Sequence, residues 1–333
     1  MIGKRIVFSA FGEPQDQLEI EDYNVPSPSD GEVLVRIRFC PINPADTNYV
    51  QGTYGVRPES FPSPAGMEGS GEVLEVGAGV EGIAVGDRVV LLGSPGCWQQ
   101  YRVVLATDLL VVPEGIDLRQ AAMLKVNPPT ARLMLDRASA AEDGKLVVQN
   151  LGNSMVGLSA IQIAGGLGID LVTFVRSESA RETCLEFDQG AKVYIDSDEG
   201  LEQAKSDLGN RRASLALNGV GGDSALRMMN LLGEGGTLLT YGAMGRRALK
   251  VPNGLLLFKD LRVEGFWLTR WDRQNGDAAM RDVLTDLAAD MAEQRLTLPI
   301  RVQLPFDQIA EAYKAVLDSA VHPGAGKVML DFG

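Results

Sequence analysis

The chain has 333 residues, 45% of them hydrophobic, enough for two globular domains with separate cores. Its 31 Lys plus Arg against 44 Asp plus Glu give a formal charge of -13, which repels phosphate backbones and excludes nucleic acid as an expected partner. Three scattered cysteines, Cys40, Cys97 and Cys184, offer neither a disulfide framework nor a Cys-x-x-Cys metal site.

Met1 leads almost directly into the apolar run at 6–8, without the charged and apolar stretch of a signal peptide or an Arg- and Ser-rich transit segment. No run reaches the roughly 18 apolar residues that span a bilayer. With thiols expected to stay reduced, these features set the expectation of a cytoplasmic protein with no membrane partner. The first part of the chain reads as β-rich: VLVRIR at 33–38 and GEVLEV at 71–76 are short alternating segments between Gly and Pro clusters. Alternation puts Val33, Val35 and Ile37 on one face. The close, turn-rich spacing predicts a compact barrel-like or sandwich domain.

From about Leu124 onward strands alternate with helices. LVVQN at 146–150 predicts a strand, 156–164 the helix after it, and DLVTFV at 170–175 the next strand, which together make a βαβ unit. Further strands are predicted at 213–217, 237–241 and 263–268, with a helix at 223–232 between the first two. Such alternation predicts a doubly wound parallel sheet. Over 277–294, Met280, Val283, Leu284, Leu287 and Met291 recur at helical spacing opposite Arg281, Asp282, Asp286 and Asp290, the pattern of a packed surface helix. A helix at 307–318 and a strand at 327–332 end the chain, and this tail is expected to return to the first domain.

The loop NLGNSMVG at 150–157 joins a parallel strand to a helix, where unpaired backbone N–H groups and the helix dipole favour an anion. The full GxGxxG pattern is absent. Gly152 is expected to permit the tight turn and Gly157 close helix-to-sheet packing, with Asn153 and Ser154 offering polar side chains to a phosphate or ribose. NAD sites commonly place an acidic residue about 20 positions after the glycines, whereas NADP sites place an Arg nearby. The corresponding position here is Arg176, whose guanidinium suits a 2′-phosphate. Arg181 could assist, and Glu178 is the contrary feature, since a carboxylate could take a ribose hydroxyl.

The single histidine, His322, lies in a Pro- and Gly-rich stretch. Without His and Cys clusters there is no credible zinc site, catalytic or structural. The acid that completes a reduction then comes from another group, and tyrosine is the leading type.

Several segments together resemble a known family: INPADTNYVQGTYG at 42–55, LKVNPPTARLML at 124–135, NSMVGLSAIQIA at 153–164, ALNGVGG at 216–222, GGTLLTYGAMG at 235–245 and LLFKDLRVEGFWLTRW at 256–271. They are similar to the medium-chain dehydrogenase/reductase superfamily, and within it to the zinc-independent trans-2-enoyl-CoA/ACP reductases of mitochondrial fatty-acid synthesis, over nearly the whole chain. The resemblance implies an α/β fold with a Rossmann doubly wound parallel-sheet domain for NADPH at 123–301 and a β-rich GroES-like catalytic domain at 1–122 and 302–333. It implies Tyr54 as the catalytic tyrosine. Implied cofactor contacts are Asn127, Asn153, Ser154, Met155, Val156, Arg176, Ser177, Glu178, Tyr241, Gly242, Ala243, Met244, Phe266, Trp267, Leu268, Thr269 and Lys327. Where zinc-dependent relatives carry a ligand Cys and then His-Glu, the matching positions are Asn43 and Met67-Glu68. Two departures bear on the cofactor: Met155 stands where a Gly is usual, and Ser177-Glu178 where a second basic residue is common.

The implied reaction is NADPH-dependent reduction of the C2–C3 double bond of a 2-enoyl thioester carried on CoA or acyl carrier protein. Hydride goes to Cβ and a proton to Cα, with the neutral phenol of Tyr54 hydrogen-bonding the enolate and delivering or relaying that proton. Arg246, Arg247, Lys250, Lys259 and Arg262 are candidate docking charges for the anionic carrier, and a homodimer is the expected assembly. The alternatives are a quinone or other activated-alkene reductase on the same fold and a non-enzymatic NADPH-binding protein, because the scaffold hosts many chemistries.

Overall fold

The computed structural model describes all residues except 94, 140–144 and 322–325, so His322 lies outside the described residues. Two compact units divide the chain, one made of Met1–Val126 with Leu284–Gly333 and the other of Asn127–Val283. The first unit opens with β1 (Ile2–Phe8), α1 (Pro14–Gln17), β2 (Leu18–Asn24), β3 (Glu32–Pro41), α2 (Pro44–Val50), β4 (Ser63–Pro64), β5 (Ser70–Val76), β6 (Arg88–Leu91), β7 (Tyr101–Leu105), β8 (Leu109–Val111) and α3 (Leu118–Ala121). The second holds α4 (Asn127–Ser139), β9 (Leu146–Gln149), α5 (Met155–Gly166), β10 (Asp170–Val175), α6 (Glu178–Phe187), β11 (Lys192–Ile195), α7 (Asp198–Leu208), β12 (Ala213–Asn218), α8 (Gly222–Leu231), β13 (Leu232–Thr240), α9 (Asn253–Lys259), β14 (Arg262–Gly265) and α10 (Leu268–Asn275). After α11 (Asp277–Ala292), the strands β15 (Ile300–Pro305) and β16 (Lys327–Asp331) and the helix α12 (Ile309–Val321) complete the first unit.

In the first unit β3 is the spine of a seven-stranded sheet ordered β15-β16-β3-β5-β6-β8, with β7 also paired to β3. Alternation along β3 is what turns Val33, Val35 and Ile37 inward, and all three are fully buried. Each such burial is worth about 1.5–3 kcal/mol. Leu34 is buried as well, so the other face of this strand is also covered. The tail returns as its pattern suggests: β16 pairs antiparallel with β3, Met329 opposite Pro41 and Asp331 opposite Phe39. Tyr313 of α12 meets the buried Trp98 edge-on at 6.2 Å.

The second unit is a six-stranded parallel sheet ordered β11-β10-β9-β12-β13-β14. Written from β9, that is the 3-2-1-4-5-6 order of a doubly wound dinucleotide fold. Val148, Val172, Phe174, Ala216 and Leu238 fill its core. One predicted strand is cut short. In place of 263–268, β14 ends at Gly265, and Trp267 is the N-cap of α10. The reason lies in the pairing: β14 is an edge strand exposed at all four residues, and Phe266 N makes a last bond to Thr240 O of β13 before the chain turns. No described helix is long and apolar enough to cross a membrane, and all three cysteines are free and buried.

Candidate active site

Because the six strands run parallel, their C-terminal ends share one edge of the sheet. In open α/β sheets ligands bind at that edge where the strand order reverses, here between β9 and β12. Most of the proposed cofactor residues follow these ends: 153–156 after β9, 176–178 after β10, 241–244 after β13 and 266–269 after β14. Asn127, which is buried, begins α4.

A side-chain clamp that the sequence reading missed closes the switch point. Asn150 Nδ2 donates to Asn218 Oδ1 at 2.9 Å and to Ser224 Oγ at 2.8 Å, while Asn150 Oδ1 accepts from Gly219 N at 2.7 Å. Asn218 Oδ1 also accepts from Gly221 N at 2.9 Å, and its Nδ2 donates to Thr240 Oγ1 at 3.1 Å. Both asparagines are fully buried. The available signal was a polar residue closing each apolar strand just before a glycine loop.

The loop between β9 and α5 is built for close approach, though not by the residue expected. The left-handed conformation falls on Leu151, at φ 59°, rather than on Gly152. Gly152 is required by space: a Cβ there would stand 2.1 Å from Thr173 Cγ2, and one on Gly157 would stand 2.4 Å from Gly152 O. Ser154 caps α5, its hydroxyl accepting from Gly157 N at 3.1 Å, which leaves the O–H free in direction to donate. Above this N-terminus lies the Tyr241 hydroxyl, buried against Gly219 and facing Ser154 without a closed hydrogen bond. A helix N-terminus, a glycine cradle and a buried unsatisfied hydroxyl at one strand edge fit the pyrophosphate and ribose of a nicotinamide dinucleotide.

Arg176 is exposed immediately after the buried Val175, and Gly152 N donates to Phe174 O at 3.2 Å, so the glycine loop and the strand end that carries Arg176 are tied together. Ser177 caps α6 by accepting from Ala180 N at 3.3 Å. Glu178 is held by Arg181 at 3.4 Å, which bears on its standing as a competing ribose acceptor. Gly242, Ala243 and Met244 follow β13, with Ala243 and Met244 exposed. Phe266 is buried, and Arg137 lies over its ring at 5.7 Å; Trp267, Leu268 and Thr269 are half-buried. Among the candidate docking charges, Lys250 is paired with Asp223 at 2.6 Å and Lys259 donates to Leu232 O at 3.0 Å. Arg246, Arg247 and Arg262 are exposed.

Tyr54 and Lys327 belong to the first unit. Tyr54 is half-buried on the hydrophobic core, and its N–H donates to Asn48 O of α2 at 3.1 Å. Lys327 is buried, its ammonium donating to Asn43 Oδ1 and to Ile42 O at 3.3 Å, so a plainly solvated lysine is excluded. Burial pushes Lys327 down to about 8 and Asp46 up to about 7. Glu68 is raised for the same reason. Among the described residues no group of three or more His, Cys, Asp or Glu is placed to hold a metal ion.

Two family descriptions match the sequence, the alcohol dehydrogenase GroES-like domain over residues 29–114 and zinc-binding dehydrogenase over 156–285. A mitochondrial enoyl-[acyl-carrier-protein] reductase of Xenopus tropicalis is 34% identical over 94% of this chain and 91% of its own length, and that of Homo sapiens is 32% identical over 96% and 86%. Among solved structures, the mitochondrial 2-enoyl thioester reductase Etr1p/Etr2p heterodimer of Candida tropicalis has a TM-score of 0.86 at 27% identity, covering 99% of this chain and all of that one. The Etr1p complex with NADP and crotonyl-CoA gives the same TM-score at 26% identity, with the same coverage. A quinone oxidoreductase of Pseudomonas syringae pv. tomato gives 0.85 at 25% identity, covering 99% of both chains. These names correct one expectation: the relatives are mitochondrial enzymes, which overturns the cytoplasmic assignment drawn from reduced thiols and the opening residues. At more than 30% identity over nearly its whole length, the chain belongs to the enoyl reductase branch of the medium-chain dehydrogenase/reductase superfamily.

Proposed function

We propose that this protein reduces the C2–C3 double bond of a 2-enoyl thioester with NADPH, on CoA or acyl carrier protein. The observation that carries this reading is identity to enoyl-[acyl-carrier-protein] reductases over nearly the entire chain, joined to a strand-edge cradle that suits a dinucleotide. In this reading the N-terminus of α5 and Ser154 hold the pyrophosphate, Tyr241 and Asn127 meet the polar groups near it, and Arg176 takes the 2′-phosphate. The residues of 242–244 and 266–269 line the nicotinamide end. Bound NADPH supplies the hydride that goes to Cβ. The chain's own part is to stabilise the charge that this places on the thioester oxygen and Cα. Tyr54 does so by hydrogen-bonding the enolate and passing its proton to Cα, water restoring the phenol afterwards.

Crotonyl-CoA against a small quinone, each with NADPH oxidation followed by absorbance, separates this reading from a quinone reductase, which one structural neighbour keeps in view. Faster turnover of the quinone by kcat/KM would overturn it. No turnover on any enone despite tight NADPH binding would make the chain a cofactor-binding protein. The chemistry needs no metal, so exhaustive chelation is expected to leave the rate unchanged; stoichiometric zinc whose removal abolishes activity would show otherwise.

We also infer a homodimer built on the exposed edge of the second unit. All four residues of β14 are exposed, and the neighbouring α9 shows Leu257 at 75% and Phe258 at 86% exposure. An open strand edge beside apolar side chains is a pairing surface that soluble chains cover, and a second copy meets it with the same residues. Leu257→Glu/Phe258→Glu is expected to convert dimer to monomer by light scattering with the circular dichroism unchanged. A wild-type monomer, or a variant that stays dimeric, would refute the assignment.

A further inference from the structure

The first unit encloses a network of buried charges that the proposed reaction does not use. Asn43 stands at its centre. Its side-chain Oδ1 accepts from the Lys327 ammonium and its Nδ2 donates to Glu68 Oε1 at 2.7 Å. A flipped amide would set NH2 against the cation and oxygen against the carboxylate, so the two charges fix its orientation. Glu68 Oε2 accepts from Val126 N at 2.9 Å. The backbone N–H of Asn43 donates to Asp46 Oδ2 at 2.7 Å, while Asp46 Oδ1 accepts from Met67 N at 2.7 Å. All four polar side chains are buried. Taking one member from such a network strands a charge or a donor in the interior, so its geometry resists change.

Asn43 is also the N-cap of α2, closing a capping box with Asp46. In the last turn of the same helix, the Asn48 carbonyl accepts from Thr53 N at 2.9 Å and from Tyr54 N at 3.1 Å. The network thus sets where α2 begins, and α2 sets where the tyrosine loop begins. We infer that Asn43 and Glu68 are positioning residues for Tyr54: with Lys327 they lock the N-cap of α2 and so hold the phenol in register. This rests on Tyr54 being the acid. It also gives Asn43, which stands where zinc-dependent relatives carry a ligand Cys, a different task, anchoring an ammonium.

The test is a double-mutant cycle between Glu68→Gln and Tyr54→Phe, read as kcat and KM for an enoyl thioester at saturating NADPH. Both Glu68 oxygens accept from N–H donors, so glutamine must turn its NH2 against Asn43 or Val126 and loosen the cap. The expected result is a loss of about tenfold in kcat at near-constant KM in the wild type, and under about twofold in the Tyr54→Phe background, where no hydroxyl is left to misplace. Equal losses in both backgrounds would mark a general structural defect and overturn the inference, as would wild-type kcat in Glu68→Gln. If Glu68→Gln fails to fold, Glu68→Asp, which shortens the reach and keeps the buried charge balance, runs the same cycle under the same criteria. Near-normal turnover of Tyr54→Phe alone would remove both the acid assignment and this inference. A slow Tyr54→Phe with independent effects would remove the inference only.

Discussion

Arg176→Ala is expected to weaken NADPH binding by roughly tenfold to more than a hundredfold while leaving NADH nearly untouched, the equivalent of about 1.5–3 kcal/mol for a charge-assisted hydrogen bond. The argument starts from placement. Arg176 follows the buried Val175 at the C-terminal end of β10, on a strand end tied to the glycine loop through Gly152 N and Phe174 O. A dinucleotide whose pyrophosphate rests on the N-terminus of α5 presents its adenosine ribose to the next strand end, where an Arg suits a 2′-phosphate. Arg176 is exposed, so the contact is screened, and the preference for NADPH over NADH is expected to shrink as salt rises. Fluorescence titration of both cofactors against wild type and variant checks this. Equal affinity of the wild type for the two, or equal weakening of both in the variant, would remove Arg176 from phosphate recognition.

The readability of this chain followed how local each signal was. DLVTFV is apolar, β-branched and bounded by turn residues, and β10 occupies exactly 170–175 as the pattern predicts. The face of α11 could be read from Met280, Leu284, Leu287 and Met291, all of which are buried, while Val283 of the same predicted face is half-buried. The short edge strand β14 misled because FWL continues the apolar run past the point where pairing stops; the turn at Phe266 is decided by a neighbouring strand and not by composition. Leu151 shows the same limit at the scale of one residue. The glycine beside it was the natural holder of the strained turn, yet Thr173, distant in sequence, claims the space and makes Gly152 necessary for a different reason. The site divides likewise. Strand-end positions such as Arg176 follow from topology, whereas the Asn150–Asn218 clamp and the Asn43–Glu68–Lys327 network join residues far apart in sequence, and no spacing rule announces them.

Tyr54→Phe is expected to lower kcat and kcat/KM together, by a factor on the order of 10² to 10⁴, as for loss of a general acid. The hydroxyl acts as charge develops, so its contribution belongs to the transition state and leaves ground-state binding of NADPH and thioester alone. The ring packs on the core of the first unit and the amide is fixed on Asn48, both of which phenylalanine retains, so the melting temperature is expected to stay near that of the wild type. A tyrosine serving only as packing would give the reverse pattern, lowered stability with normal turnover per folded molecule. An ortho-quinone provides the internal control, because it accepts hydride and can draw its proton from water. Loss on the enoyl thioester with quinone reduction retained identifies the phenol as the proton source and enolate partner. Equal loss on both substrates would mean that Tyr54 shapes the site, and near-normal enoyl turnover would remove it from the mechanism.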